Sequence, residues 1–104
     1  MVFWSRSDSA QTQPPPSRFD QASGVVGTRQ GDTTVLLDVN GGMYYTLNEV
    51  GGRIWELLGS GVPVPEIIER LQEEYQVAPE TLVADTAAHI DRLLQAKLVK
   101  AAGR

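Results

Sequence analysis

The stretch from Asp38 to Leu58, DVNGGMYYTLNEVGGRIWELL, constrains the fold more than any other part of the 104-residue chain. Asn40-Gly41 is a hairpin signal, since both positions accept a positive φ. GMYYTL then reads as a strand and runs directly into Asn48, a favoured helix N-cap, with Glu49 suited to the positive end of the helix. Val50, Ile54, Leu57 and Leu58 recur at helical spacing, and Trp55 adds bulk, so this helix has one apolar face. With strand and helix back to back, the strand's register is pinned to the core on one side while its other edge stays rigid and open. Gly51 and Gly52 each weaken the helix by roughly 1 kcal/mol relative to alanine, which calls for a close neighbour against its first turn, such as the sheet.

Upstream, GVVGTR is strand-like, QGD is a turn, and TTVLLDV is rich in β-branched residues. With GMYYTL they predict a three-stranded antiparallel meander whose first and third strands are its edges. Leu47, just before the N-cap, should point into the core, with Met43 and Tyr45 on its face and Tyr44 and Thr46 on the other. Downstream of GSGVPVP, the segment EIIERLQEEYQV predicts a second helix with Ile67, Ile68, Leu71 and Tyr75 on one side and glutamates around the rest. A third helix is expected from Pro79, well placed at a first helical position, to Lys97, with an apolar stripe of Leu82, Val83, Ala87, Ile90, Leu93 and Leu94. Leu98 and Val99 should close the core. The expected class is α+β, a winged helix-turn-helix-like arrangement of a three-stranded antiparallel sheet followed by three helices.

The first 20 residues, MVFWSRSDSAQTQPPPSRFD, are rich in Ser, Gln and Pro and lack any apolar period. Residues 1–21 are therefore expected to be a disordered tail, stiffened by Pro14 to Pro16, and residues 22–104 the folded domain. No apolar run approaches the roughly 20 residues needed to span a bilayer, and Met1 to Ala10 has no signal-like apolar region, so the expected compartment is the cytoplasm and no membrane partner is expected. The absence of cysteine excludes disulfides and thiolate chemistry.

Enzyme constellations are nearly absent. The single histidine, His89, lies one helical turn after Asp85, a pair that could bind a metal weakly but offers only two ligands; a surface ion pair or partner contact is the ordinary use of such spacing. No base is placed to activate a serine, and no phosphate-binding glycine motif is present. Nucleic acid is an unsuitable partner for a chain of formal net charge -4, whose third helix and exit balance Glu80, Asp85 and Asp91 against Arg92, Lys97 and Lys100. What remains is the edge strand GMYYTL, built from β-formers without proline or inward charge, which suits strand addition by an extended peptide. The plain alternative is that Tyr44 and Tyr45 pack at the sheet margin.

The run GMYYTLNEVGGRIWELL, then EIIERLQEEYQV and VADTAAHIDRLLQAKLV, resembles the PqqD-like family of leader-peptide recognition elements over nearly all of Val25 to Val99. The series Tyr45, Leu47, Asn48, Gly51, Ile54 and Trp55 carries most of the likeness; Ala78 departs from it, since Asp or Ser more usually caps the third helix there. The resemblance implies a non-catalytic protein, without cofactor or metal, that pairs the leader of a precursor peptide as a fourth strand beside the third strand. A short form of this kind looks most like the recognition protein of lasso-peptide pathways, delivering the precursor to a separate leader peptidase, with a lasso cyclase as the secondary partner; a peptide chaperone of a radical-enzyme pathway is the nearest relative reading. The peptide-contacting residues expected are Met43, Tyr44, Tyr45 and Thr46 on the strand and Leu82, Asp85, Thr86 and His89 on the third helix. A DNA-binding winged helix and a purely structural subunit are the other classes, without positive support in the residues.

Overall fold

A computed structural model of the chain describes residues 18–102. Its elements are β1 (Phe19–Gln21), β2 (Val25–Gln30), β3 (Thr33–Asp38), β4 (Met43–Leu47), α1 (Glu49–Gly59), α2 (Val64–Glu74), α3 (Pro79–Gln95) and β5 (Val99–Ala101). The expected meander is present as β2, β3 and β4, antiparallel in that order, with β2 and β4 at the edges.

Two turns set its register. Gln30 pairs with Thr33 across a two-residue connection in which Gly31 takes φ +62°, the positive value a type II′ hairpin requires at its first position. The second connection differs from expectation. Asp38 pairs with Met43, so four residues intervene, and the positive φ falls on Gly42 rather than on Asn40 or Gly41. The cause is Asp38, whose carboxylate accepts from the amides of Asn40 and Gly41 at 3.2 Å while its carbonyl accepts from Gly42 at 2.7 Å. This side-chain-capped turn holds the chain right-handed until its last residue.

β4 leads into α1 as anticipated: the Asn48 side chain accepts from the Gly51 amide at 2.8 Å. α1 is the hub of the domain, packing on β1, β3, β4 and α2. Ile54, Trp55, Leu57 and Leu58 are buried on it, against Leu36 and Leu47 of the sheet and Ile67 and Leu71 of α2. The two glycines meet different neighbours. A Cβ on Gly52 would crowd Thr34 of β3, whereas one on Gly51 would lie 3.0 Å from His89 Cε1; the sheet accounts for the first and α3 for the second.

Both α1 and α3 end in the same hydrogen-bonded reversal. After α1 the amides of Val62 and Gly61 bond to the carbonyls of Leu57 and Leu58, with Gly61 at φ +81°; after α3 those of Leu98 and Lys97 bond to Leu93 and Leu94, with Lys97 at φ +62°. These are Schellman motifs, and a lysine in the left-handed position where glycine is usual is disfavoured by about 1–2 kcal/mol. The turn ends α3 before Lys97, shorter than expected, and sends Leu98 and Val99 into the core, 2% and 3% exposed.

Three further expectations are corrected. The tail does not extend to residue 21: Phe19–Gln21 pairs antiparallel with Val99–Ala101, and Phe19 is buried. The part of the expected tail before residue 18 lies outside the described residues. The buried face of α3 is Leu82, Thr86, Ile90 and Leu93, whereas Val83, Ala87 and Leu94 are exposed. α3 packs chiefly on α2 and β5, and it is the stripe containing Thr86, not the more apolar one, that faces the core. α2 begins two residues earlier than expected, at Val64, with Pro63 before it and Pro65 in its first turn. As Ala78 foreshadows, α3 starts without a side-chain cap.

Candidate functional site

Because α3 is held by α2 and β5, a groove is left between it and the β4–α1 junction. One half, about 410 Å³, lies between Tyr45, Thr46, Leu47 and Asn48 on one side and His89, Arg92, Leu93, Ala96 and Leu98 on the other. The second half, about 390 Å³, lies between Asn48, Val50, Gly51 and Ile54 of the α1 start and Val77, Leu82, Asp85, Thr86, His89 and Arg92. Asn48, His89 and Arg92 belong to both, so the two halves form one groove beside the free edge of β4.

Of the residues expected to contact a peptide, Tyr45, Thr46, Leu82, Asp85, Thr86 and His89 line this groove. Met43 and Tyr44 do not. Tyr44 is 70% exposed on the outer face of the sheet, opposite Leu37, and Met43 sits opposite Asp38 at the hairpin end. Met43 shares the Tyr45 and Leu47 face by alternation, yet α1 does not reach over it, and it is 54% exposed.

The sequence reading missed Arg92, Asn48 and Gly51 as groove residues, and Val77, Ala96 and Leu98 at its ends. For Arg92 a signal exists. Leu82, Asp85, His89, Arg92 and Ala96 follow one another at three- and four-residue steps, which places them along one face of a helix. Asn48 was read only as a cap. It does both jobs, because its side chain is turned to α1 at the point where the strand ends.

The chemistry of the groove is that of a binding surface. Asp85 and His89 form no ion pair, and Asp85 and Arg92 are both exposed with opposite charge and no ion-pair partner among the described residues. Burial pushes the His89 imidazole below its ordinary pKa, with the Gly51 main chain opposing that and Arg92 adding to it. His89 Nε2 and Thr86 Oγ1 are covered from water and make no well-aligned hydrogen bond among the described residues. Among the described residues, no group of three or more His, Asp or Glu side chains is arranged to hold a metal ion, and no helix is long and apolar enough to cross a membrane.

Residues 33–99 match the family described as coenzyme PQQ synthesis protein D (PqqD). Among solved structures, the chain is similar to TbiB1 in complex with the TbiA(beta) leader peptide, at 30% identity and a TM-score of 0.74, over 82% of this chain and 99% of that one. It also shares its fold with lasso peptide synthetase B1 complexed with the leader peptide, at 24% identity and a TM-score of 0.73, over 80% of this chain and 98% of that one. No curated protein matches it.

Proposed function

Since the chain belongs to the PqqD family, we infer that it is a non-catalytic binding protein that captures the leader segment of a precursor peptide in lasso-peptide biosynthesis. The leader adds as a fourth strand to β4, with its inward side chains in the groove along α3, and the captured precursor is delivered to a separate leader peptidase. One observation carries this reading: a strand edge unpaired among the described residues opens onto a groove, in a fold that TbiB1, 30% identical, shares in complex with a leader peptide.

Strand addition draws affinity from main-chain hydrogen bonds and specificity from pockets for alternate side chains. β4 supplies the first, being short, uninterrupted by proline and fixed at its far end by the Asn48 cap. The groove supplies the second. A rigid edge loses little conformational freedom on binding, so less of the interaction energy goes into ordering.

Titration of a fluorescent synthetic leader of the cognate precursor, with its core segment as control, tests this directly. Saturable binding of leader alone is expected. Tyr45→Ala and Asp85→Ala should each weaken it about fivefold to thirtyfold, on the order of 1–2 kcal/mol, with the far-UV spectrum unchanged. Unaltered affinity in both variants would reject this groove. The family description also favours a second reading, a peptide chaperone for a radical enzyme in a coenzyme PQQ type of pathway. Preferential binding of a precursor of that pathway would select it.

A further inference from the structure

The half of the groove between the first turn of α1 and α3 contains a feature that capture by backbone pairing does not use. Thr86 is fully buried, and its Oγ1 has no hydrogen-bond partner among the described residues. A helical threonine has an easy local solution, back-bonding to the carbonyl four residues earlier, and Thr86 does not take it. One turn along the same face, His89 Nε2 is also covered and makes no well-aligned hydrogen bond among the described residues, although the Gly51 main chain lies beside the ring and favours its charged form. Buried polar atoms nearly always find partners, because an unmade bond costs the full desolvation of the group. Two such atoms three residues apart on one helix, both on residues lining one cleft, mark a site whose partner comes from outside the described residues.

We propose that this half-groove is a side-chain subsite for a leader residue with an apolar body and a neutral hydrogen-bonding tip, a hydroxyl or a carboxamide, read by Thr86 Oγ1 and His89 Nε2. The proposal rests on the leader-binding reading and adds the chemistry of one recognised side chain. The walls select the body: Val50, Ile54 and Leu82 line the cleft around the two polar atoms. The charges select the tip. Asp85 and Arg92 flank Thr86 and His89 on the same helix with opposite signs, giving neither a carboxylate nor an ammonium a net attraction, and the apolar wall would leave an ion poorly solvated. Burial keeps the imidazole uncharged near neutral pH, so each of the two atoms is a neutral group. A hydroxyl or carboxamide can both donate and accept, and so satisfies the pair whichever imidazole tautomer is present. Both atoms are sealed from water in the free domain, so the half-buried imidazole turns as the tip enters; at Gly51 only main chain borders the ring.

The experiment combines two variants with a leader series. Each hydroxyl or carboxamide of the fluorescent cognate leader is replaced in turn by its apolar isostere, and every peptide is titrated against the wild-type domain, Thr86→Val and Thr86→Ser. At one leader position the isostere should bind wild type about tenfold more weakly. Thr86→Val should lose a similar factor on the parent leader and show no further loss with that isostere, while being no less stable to urea than wild type, because it removes an unsatisfied buried group. Thr86→Ser, which keeps the hydroxyl, should retain most of the affinity and the sensitivity to that position. The subsite is overturned if no isostere matters to wild type, a readout independent of any variant's folding. Equal weakening by Val and Ser overturns it too, since loss of shape would then explain both. Binding of all peptides with equal affinity leaves leader capture standing without this subsite, whereas no binding of the parent leader to folded wild type removes both.

Discussion

The two flanks of α1 are built on opposite principles. On the side facing β2 and α2, charges are bridged between elements: Arg53 forks onto Glu74 with contacts at 2.8 and 2.9 Å, reaches Glu56 at 3.4 Å, and Arg29 of β2 meets Glu56 at 3.4 Å. Beneath them Trp55 is 4% exposed, with Gly27 leaving room for its indole. On the side facing α3, two buried polar atoms have no well-aligned partner and Asp85 and Arg92 stand unbridged among the described residues. The same helix thus has one flank completed by its own chain and one left incomplete. Stability should therefore depend on the first flank and recognition on the second.

The largest test of that division is Trp55→Ala, which should lower unfolding free energy by about 3–5 kcal/mol in urea titrations. A loss below 1 kcal/mol would mean the completed flank is not where the fold is held. Next come the adjacent glycines. Gly52→Ala drives a methyl into Thr34, whose Cβ would be 3.0 Å away, and should cost about 1–3 kcal/mol. Gly51→Ala meets the edge of the His89 ring, which can turn aside, and the cap oxygen Asn48 Oδ1 at 3.1 Å; the loss of stability should stay at about 1 kcal/mol or less, offset by the helix preference of alanine, while leader affinity falls. Equal effects of the two on stability would break the comparison.

Smaller still is Arg53→Met. The Arg53 and Glu74 side chains are 30% and 33% exposed, so solvent screening limits the loss to about 1 kcal/mol or less, and leader affinity should not change. The finest test is pH. Burial lowers the His89 pKa from its ordinary 6.5, so the unfolded chain takes up that proton first, and stability present above pH 6.5 falls as pH drops through the folded-state value. His89→Gln should remove that part of the slope. Hydrogen bonding to Arg53 lowers the Glu74 pKa from 4.5, and its contribution is lost only in the lower, carboxylate window. Urea midpoints measured from pH 7 to pH 3 separate the two.

The strand-to-helix framework was more legible in sequence than the groove, because it is made of local signals. The Asn48 cap, the β-formers of β3 and β4 and the helical spacing from Ile54 to Leu58 each announce themselves within a few residues. The groove was legible in part: Tyr45, Thr46, Leu82, Asp85, Thr86 and His89 line it, whereas Met43 and Tyr44 of the same strand lie outside it, because alternation says which face a residue takes and not whether a helix covers it. Helical spacing also offered α3 two overlapping stripes. Val83 and Leu94 make one that looks more apolar, yet tertiary packing selected the one containing Thr86. β1 and β5 were invisible for a different reason. Three-residue strands carry no period, and their pairing joins opposite ends of the described chain.

That last pairing has a consequence for architecture. The Ala102 amide bonds to the Arg18 carbonyl at 2.9 Å, and Ala22 bonds to Leu98 at 2.8 Å, so the polypeptide enters and leaves the fold through one doorway. A unit of this kind can be spliced into a surface loop of a larger host without stretching either junction. It can equally be cut at the Gly31-Asp32 turn and rejoined across the doorway, keeping every strand pairing of the sheet in a rearranged order of chain.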